Sequence, residues 1–141
     1  MKRTLLIAAL LMVFAAPAQA KVTVKLATLA PEGTSWFKAL RQIGDEWSRI
    51  SGGEVDVKIY AGGVVGNESQ MVRKMRIGQV HGGQITNVGM ADFDNAAQVI
   101  QTPLLVRNNA ELDHVMGKMK PTFEARLKDK GIVVLNWGDA G

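Results

Sequence analysis

The chain has 141 residues, 47% of them hydrophobic and 21% charged, with a formal net charge of +4 and no cysteine. That size suits one domain with a single core, and the lack of cysteine excludes both a disulfide framework and thiol chemistry. Aromatic residues make up only 6% and basic residues are scattered, which excludes the aromatic and basic platform of a nucleic-acid binder.

Lys2 and Arg3, an apolar stretch over residues 5–16 and the small residues Ala18-Gln19-Ala20 are the three parts of a secretory leader. The apolar stretch falls well short of the ~20 residues that cross a bilayer, no second span follows, and no cysteine is present to carry a lipid. Residues 1–20 are therefore expected to be a cleaved signal peptide, and residues 21–141 a domain that diffuses in the periplasm. Half of the net charge leaves with the leader.

Val22-Thr23-Val24-Lys25-Leu26-Ala27 is β-branched and alternates with period two, which predicts a strand. From Thr34 or Ser35, either of which can cap a helix, Trp36, Phe37, Leu40, Ile43, Trp47 and Ile50 recur at helical spacing, and Ser51-Gly52-Gly53 ends the run. Val55, Val57 and Ile59 alternate with polar residues and predict a second strand. A glycine-rich loop over residues 61–66 then leads to Asn67, a good cap, and a helix over about 68–77 with Met71, Val72 and Met75 on its apolar side.

Gly82-Gly83-Gln84-Ile85-Thr86 reads as a short third strand softened by glycine. Residues 88–97 suit a short helical turn, and Pro103 argues against a central strand over 99–106. Asn109 is expected to cap a helix to about Met119, and Pro121 to open another that runs to Lys130 and stops at Gly131. Ile132-Val133-Val134-Leu135-Asn136-Trp137 is continuously apolar, the pattern of a strand buried on both faces of a parallel sheet. The alternation predicts an α/β fold, a parallel-rich sheet flanked by helices and joined by right-handed crossovers. The last predicted strand is followed only by Gly138-Asp139-Ala140-Gly141, with no covering helix, so the chain is expected to be the N-terminal part of something longer.

In an open α/β sheet, ligands sit beyond the carboxyl ends of the strands. That rule selects the loops at residues 30–36, 61–67, 86–89 and 137–141. Thr34 and Ser35 offer hydroxyls and backbone donors to an anion at a helix start, Trp36 or Trp137 an aromatic wall, and Thr86 with Asn87 a hydrogen-bonding pair. Asp139 is the acidic candidate of the last loop. Each has a plainer role open to it: Thr34 or Ser35 as cap, Trp36 in the core stripe with Leu40 and Ile43, Asn87 in a turn, Trp137 packed on a helix.

Other chemistry finds little support. The loop Gly62-Gly63-Val64-Val65-Gly66 lacks the spacing and the Lys-Ser/Thr ending of a phosphate-binding loop. Arg73, Lys74 and Arg76 read as a solvated basic surface. His81 and His114 lack ligand spacing, Asp92 and Asp94 suit turn caps, and no Gly-x-Ser-x-Gly elbow occurs. No metal, cofactor or enzyme class is expected.

Four segments taken together carry a resemblance. They are Leu26-Ala27-Thr28-Leu29-Ala30-Pro31-Glu32-Gly33-Thr34-Ser35-Trp36, Val57-Lys58-Ile59-Tyr60-Ala61-Gly62-Gly63-Val64-Val65-Gly66-Asn67-Glu68, Met71-Val72-Arg73-Lys74-Met75-Arg76-Ile77-Gly78-Gln79 and Val133-Val134-Leu135-Asn136-Trp137-Gly138-Asp139-Ala140-Gly141. In this order they resemble the periplasmic solute receptors of tripartite ATP-independent periplasmic (TRAP) transporters, of the DctP type. The resemblance implies the first lobe of a two-lobed clamshell that closes on a small carboxylate-bearing solute. It also implies delivery to membrane subunits driven by an ion gradient. Such receptors are more than twice this long, and the arginine with which they grip the carboxylate lies beyond the matched segment, so no arginine here takes that role. The competing expectation is an exported enzyme or sensory domain on the same lobe, or a truncated remnant without function.

Overall fold

A computed structural model describes residues 21–138, so the expected leader and Asp139 lie outside the described residues. The described residues begin with β1 (Val22–Thr28), followed by α1 (Ser35–Ile50), β2 (Val55–Tyr60), α2 (Glu68–Arg76) and β3 (Gly82–Gln84). A four-residue α3 (Asn87–Met90), a 3-10 helix (Asn95–Gln101) and the long α4 (Asn109–Asp129) complete it. The three strands form one parallel sheet in the order β2-β1-β3. β1, the first strand made, is therefore the central one.

Strand side chains alternate between the two faces of the sheet, and the contacts place the two crossovers on opposite ones. Gly44 of α1 is buried against Val57, where a Cβ would come within 3.0 Å of the valine Cβ. Val57 pairs with Val24, so α1 covers that face. Met71 of α2 is completely buried with Ala27, three residues along β1 and hence on the other face. Thr34, of the two expected caps, is the one that closes α1, its Oγ1 accepting the Phe37 N–H at 3.3 Å. Asn67 and Gln70 form a reciprocal capping box on α2.

α2 joins two apolar clusters. Met71 packs with Ala27, Val65 and Val80, while Val72, one residue on, packs with Met90, Phe93, Ala97, Phe123 and Leu127. Both are at most 1% exposed, and burial of such a side chain contributes about 1.5–3 kcal/mol.

Three expected elements differ from the structure. β3 stops at Gln84, not Thr86, because Thr86 turns away to cap α3, its Oγ1 accepting the Val88 N–H at 3.2 Å. The two helices expected around Pro121 are one, capped by Asn108 where Asn109 was expected. Met116, Met119, Phe123 and Leu127 form one apolar stripe that runs straight past the proline and docks on the same cluster. Gly117 stands four residues before Pro121, at the position whose carbonyl loses its donor.

The third difference is the segment over residues 132–137. It belongs to no helix or strand among the described residues. Ile132, Val134 and Trp137 pack against the α2–α4 cluster, whereas Val133 and Leu135 are 71% and 74% exposed. Its uniform apolarity suggests burial on both faces, but the described core covers only one.

Two buried or half-buried carboxylates fasten the elements beyond the sheet, one to the loop after β3 and one between the last two helices. Glu68, the first residue of α2, is 7% exposed and accepts the Thr86 N–H on Oε1 at 2.8 Å. Its Oε2 accepts the Thr86 hydroxyl at 2.7 Å and the Gly89 N–H at 2.8 Å. Asp94 caps the 3-10 helix through Ala96 N–H and receives Nε and Nη2 of Arg126 from α4 at 3.0 and 2.9 Å. The basic surface expected around Arg73 is partly engaged as well: Lys74 Nζ donates to the Val65 carbonyl, and Arg76 donates to the Asp92 carbonyl and lies over Phe93.

Two predictions follow from these contacts. Glu68→Ala strands three donors and is expected to cost about 3 kcal/mol, read as a lower urea midpoint at unchanged slope. The Arg126 guanidinium, and next the Ala96 N–H, hold the Asp94 carboxyl below its ordinary value. The unfolded chain therefore takes up this proton first, so the contribution is present above the ordinary carboxylate range and is lost as pH falls below about 4. Asp94→Asn is expected to flatten the acid limb of a melting-temperature profile relative to wild type.

Candidate functional site

The strand order places a topological switch point between β1 and β3. The chain leaves β1 toward β2 on one side and returns after α2 to the other, so the loops after β1 and β3 diverge and leave a crevice beyond their carboxyl ends. Across its floor, Thr28 pairs with Gln84 in the last rung of the ladder. Thr28 is 1% exposed; its Oγ1 donates to Gln84 Oε1 at 2.9 Å and accepts the Ala30 N–H at 3.0 Å.

The loop after β1 carries the first expected site residues. Thr34 is committed to local structure, donating to the Pro31 carbonyl at 2.8 Å and capping α1. Ser35 is exposed, and the backbone N–H groups of Ser35 and Trp36 have no acceptor among the described residues. Trp36 keeps 37% of its surface exposed, and its ring lies on Gly138, where a Cβ would stand 2.6 Å from Cη2. That contact brings the start of α1 and the last described residues together.

Trp137 packs on α4. Its ring centroid is 6.2 Å from that of Phe123, inclined by 50°, and its Nε1–H donates to Glu124 Oε1 at 2.7 Å. After β3, Thr86 spends its hydroxyl proton on Glu68 and a lone pair on Val88 N–H, while the half-buried Asn87 side chain has no partner among the described residues. Around the start of α3 the Thr86 and Gly89 N–H groups are thus taken by a carboxylate from within the chain, and that of Val88 by the Thr86 hydroxyl. Gly89 is obligatory in this arrangement, since a Cβ would meet Glu68 Cβ at 2.9 Å and Ile85 Cβ at 3.2 Å.

Sequence reasoning overlooked Thr28, Gln84 and Glu68. Thr28 and Gln84 read as ordinary strand residues, and Glu68 as an ordinary acidic first-turn residue; nothing local ties it to residues 86–89. The loops over residues 29–36, 61–67 and 85–89 contain no Lys, Arg or His, and their one charged side chain is the exposed Glu32, so the donors they offer a ligand are neutral. No cluster of three His, Cys, Asp or Glu side chains suits a metal among the described residues, and no described helix is long and apolar enough to cross a membrane. A groove of about 230 Å³ between α1 and β2 is lined by Arg41, Asp45 and Asp56, and Glu32 of the loop after β1 borders it.

Comparison with known proteins agrees with this architecture. A solute-binding protein of Chromohalobacter salexigens is 25% identical over 74% of this chain and 31% of its own length. A TRAP periplasmic solute-binding protein from Sulfitobacter sp. NAS-14.1, solved with β-D-galacturonate, superposes with a TM-score of 0.78 at 21% identity, over 85% of this chain and 40% of that one. A TRAP periplasmic solute-binding protein from Sulfurospirillum deleyianum, solved with succinate, gives 0.78 at 18% identity over 86% and 40%. The chain therefore has the fold of a TRAP receptor lobe, and it spans about a third of the curated relative and two-fifths of these structures. Residues 26–141 match the family model of the bacterial extracellular solute-binding proteins, family 7 (DctP), and the chain belongs to that family.

Proposed function

We propose that residues 21–141 form the N-terminal lobe of an exported receptor that captures a small organic acid and delivers it to the membrane subunits of a TRAP-type secondary transporter. The family match across residues 26–141 carries this reading. The open switch point and the acids bound in two proteins of like fold support it. The work is binding and release, with no bond broken, so the protein acts as a receptor and not as an enzyme.

In this reading the solute lies in the crevice beyond β1 and β3. The free N–H groups of Ser35 and Trp36 open a helix of 16 residues and present its positive end to an anionic oxygen. Trp36 gives an apolar wall, and Asn87 is the uncommitted polar group on the opposite loop. Thr34 and Thr86 shape their loops, Trp137 anchors the last described segment on α4, and Asp139 is kept as the acidic candidate of the segment that follows. Residues 1–20 direct export to the periplasm and are removed.

The test is a melting series on the protein as its gene encodes it, with D-galacturonate, D-glucuronate, succinate or neutral D-galactose. An acid at a hundred times its Kd is expected to stabilise by about 2.7 kcal/mol, a shift of a few degrees, with no shift from the neutral sugar. Stabilisation by galactose alone would overturn the assignment to acids. Export is read by N-terminal sequencing of protein from the cell envelope: a start at Lys21 is expected, and retention of Met1 counts against the leader.

A further inference from the structure

We infer that Gln84 contacts the solute, with the Thr28 hydroxyl orienting its amide so that the N–H2 group donates to an acceptor oxygen at the switch point. This rests on the receptor reading above and adds a residue to it. Thr28 and Gln84 face each other at the last rung between β1 and β3, where the crevice begins. The Thr28 oxygen already accepts the Ala30 N–H, and its proton goes to Gln84 Oε1. Reversing the amide would leave the hydroxyl proton of a residue only 1% exposed without an acceptor, so the carbonyl end is held inward.

The other end of the side chain is free. Gln84 is half-buried, and its Nε2 has no partner among the described residues. Every buried side-chain nitrogen and oxygen among them is satisfied, so this nitrogen must reach solvent. Three backbone donors of the loop after β3 are not available in the same way, because Glu68 takes the N–H groups of Thr86 and Gly89, and Thr86 takes that of Val88. With no cation in the three described loops, a fixed neutral donor at the crevice floor fits an oxygen that only needs to accept, such as those of a carboxylate or a sugar hydroxyl.

Two variants separate contact from scaffolding. Gln84→Glu keeps an oxygen for the Thr28 hydroxyl but replaces the donor with a negative charge; Gln84→Ala removes both. Calorimetric titration of the full protein with D-glucuronate, D-galacturonate and succinate is expected to show roughly tenfold weaker binding for Gln84→Ala and about a hundredfold for Gln84→Glu. Gln84→Glu should melt as wild type does. Wild-type affinity in both variants, or weakened binding in Gln84→Ala with normal binding in Gln84→Glu, overturns the contact while leaving the receptor reading in place. Failure of the wild-type protein to bind any of the three acids removes the receptor reading for these solutes and this inference with it.

Discussion

The carboxyl end of the sheet depends on one buried carboxylate. Glu68 starts α2, yet its oxygens are spent on the turn that follows β3, so the helix entering one crossover fastens the loop leaving it. A carboxylate without partners could not stay buried in this position; three donors, two of them backbone N–H groups, make it acceptable. The arrangement also explains Gly89, whose missing side chain gives Glu68 its room. The turn carrying Thr86 and Asn87 therefore has a defined position despite following a strand of only three residues.

The central placement of β1 gives the rest of the architecture. With β2 and β3 on either side of it, α1 and α2 must cover opposite faces, and the loops after β1 and β3 must part. Gly44 lets α1 approach one face, and a Cβ on Gly83 would stand 2.8 Å from the Ala27 carbonyl, so glycine there lets β3 approach β1. α2 then extends the core beyond the sheet, because Met71 and Val72 point into different clusters.

Much of this was legible from periodicity. β1, α1, β2 and α2 stand where alternation, helical spacing and caps put them, since each buries one face and their boundaries are marked by Thr34, Gly52 and Asn67. Pro121 misled because a proline's local cost was weighed without the apolar stripe on either side of it. Residues 132–137 misled because composition reports how apolar a segment is and not how many neighbours reach it. At the crevice, a capping hydroxyl at Thr34 or Ser35 was readable from sequence, though not which of the two; the Glu68 and Thr28–Gln84 contacts were not. They join residues 18, 21 and 56 positions apart, and only the folded sheet brings these together.

The unequal pairing of β1 bears on where the sheet yields first. It matches β2 over six positions but β3 over three, and on the β3 side His81 adds two bonds, its N–H donating to the Lys25 carbonyl at 2.8 Å and its imidazole Nδ1 accepting the Lys25 N–H at 3.0 Å. Local opening follows the weakest set of contacts, so the seam between β1 and β3 separates at lower free energy than the seam with β2. That seam is the one beneath the crevice. The sheet thus has a longer seam that preserves the fold and a shorter one, held at its end by the Thr28–Gln84 bond and beyond it by Glu68, over which the crevice opens.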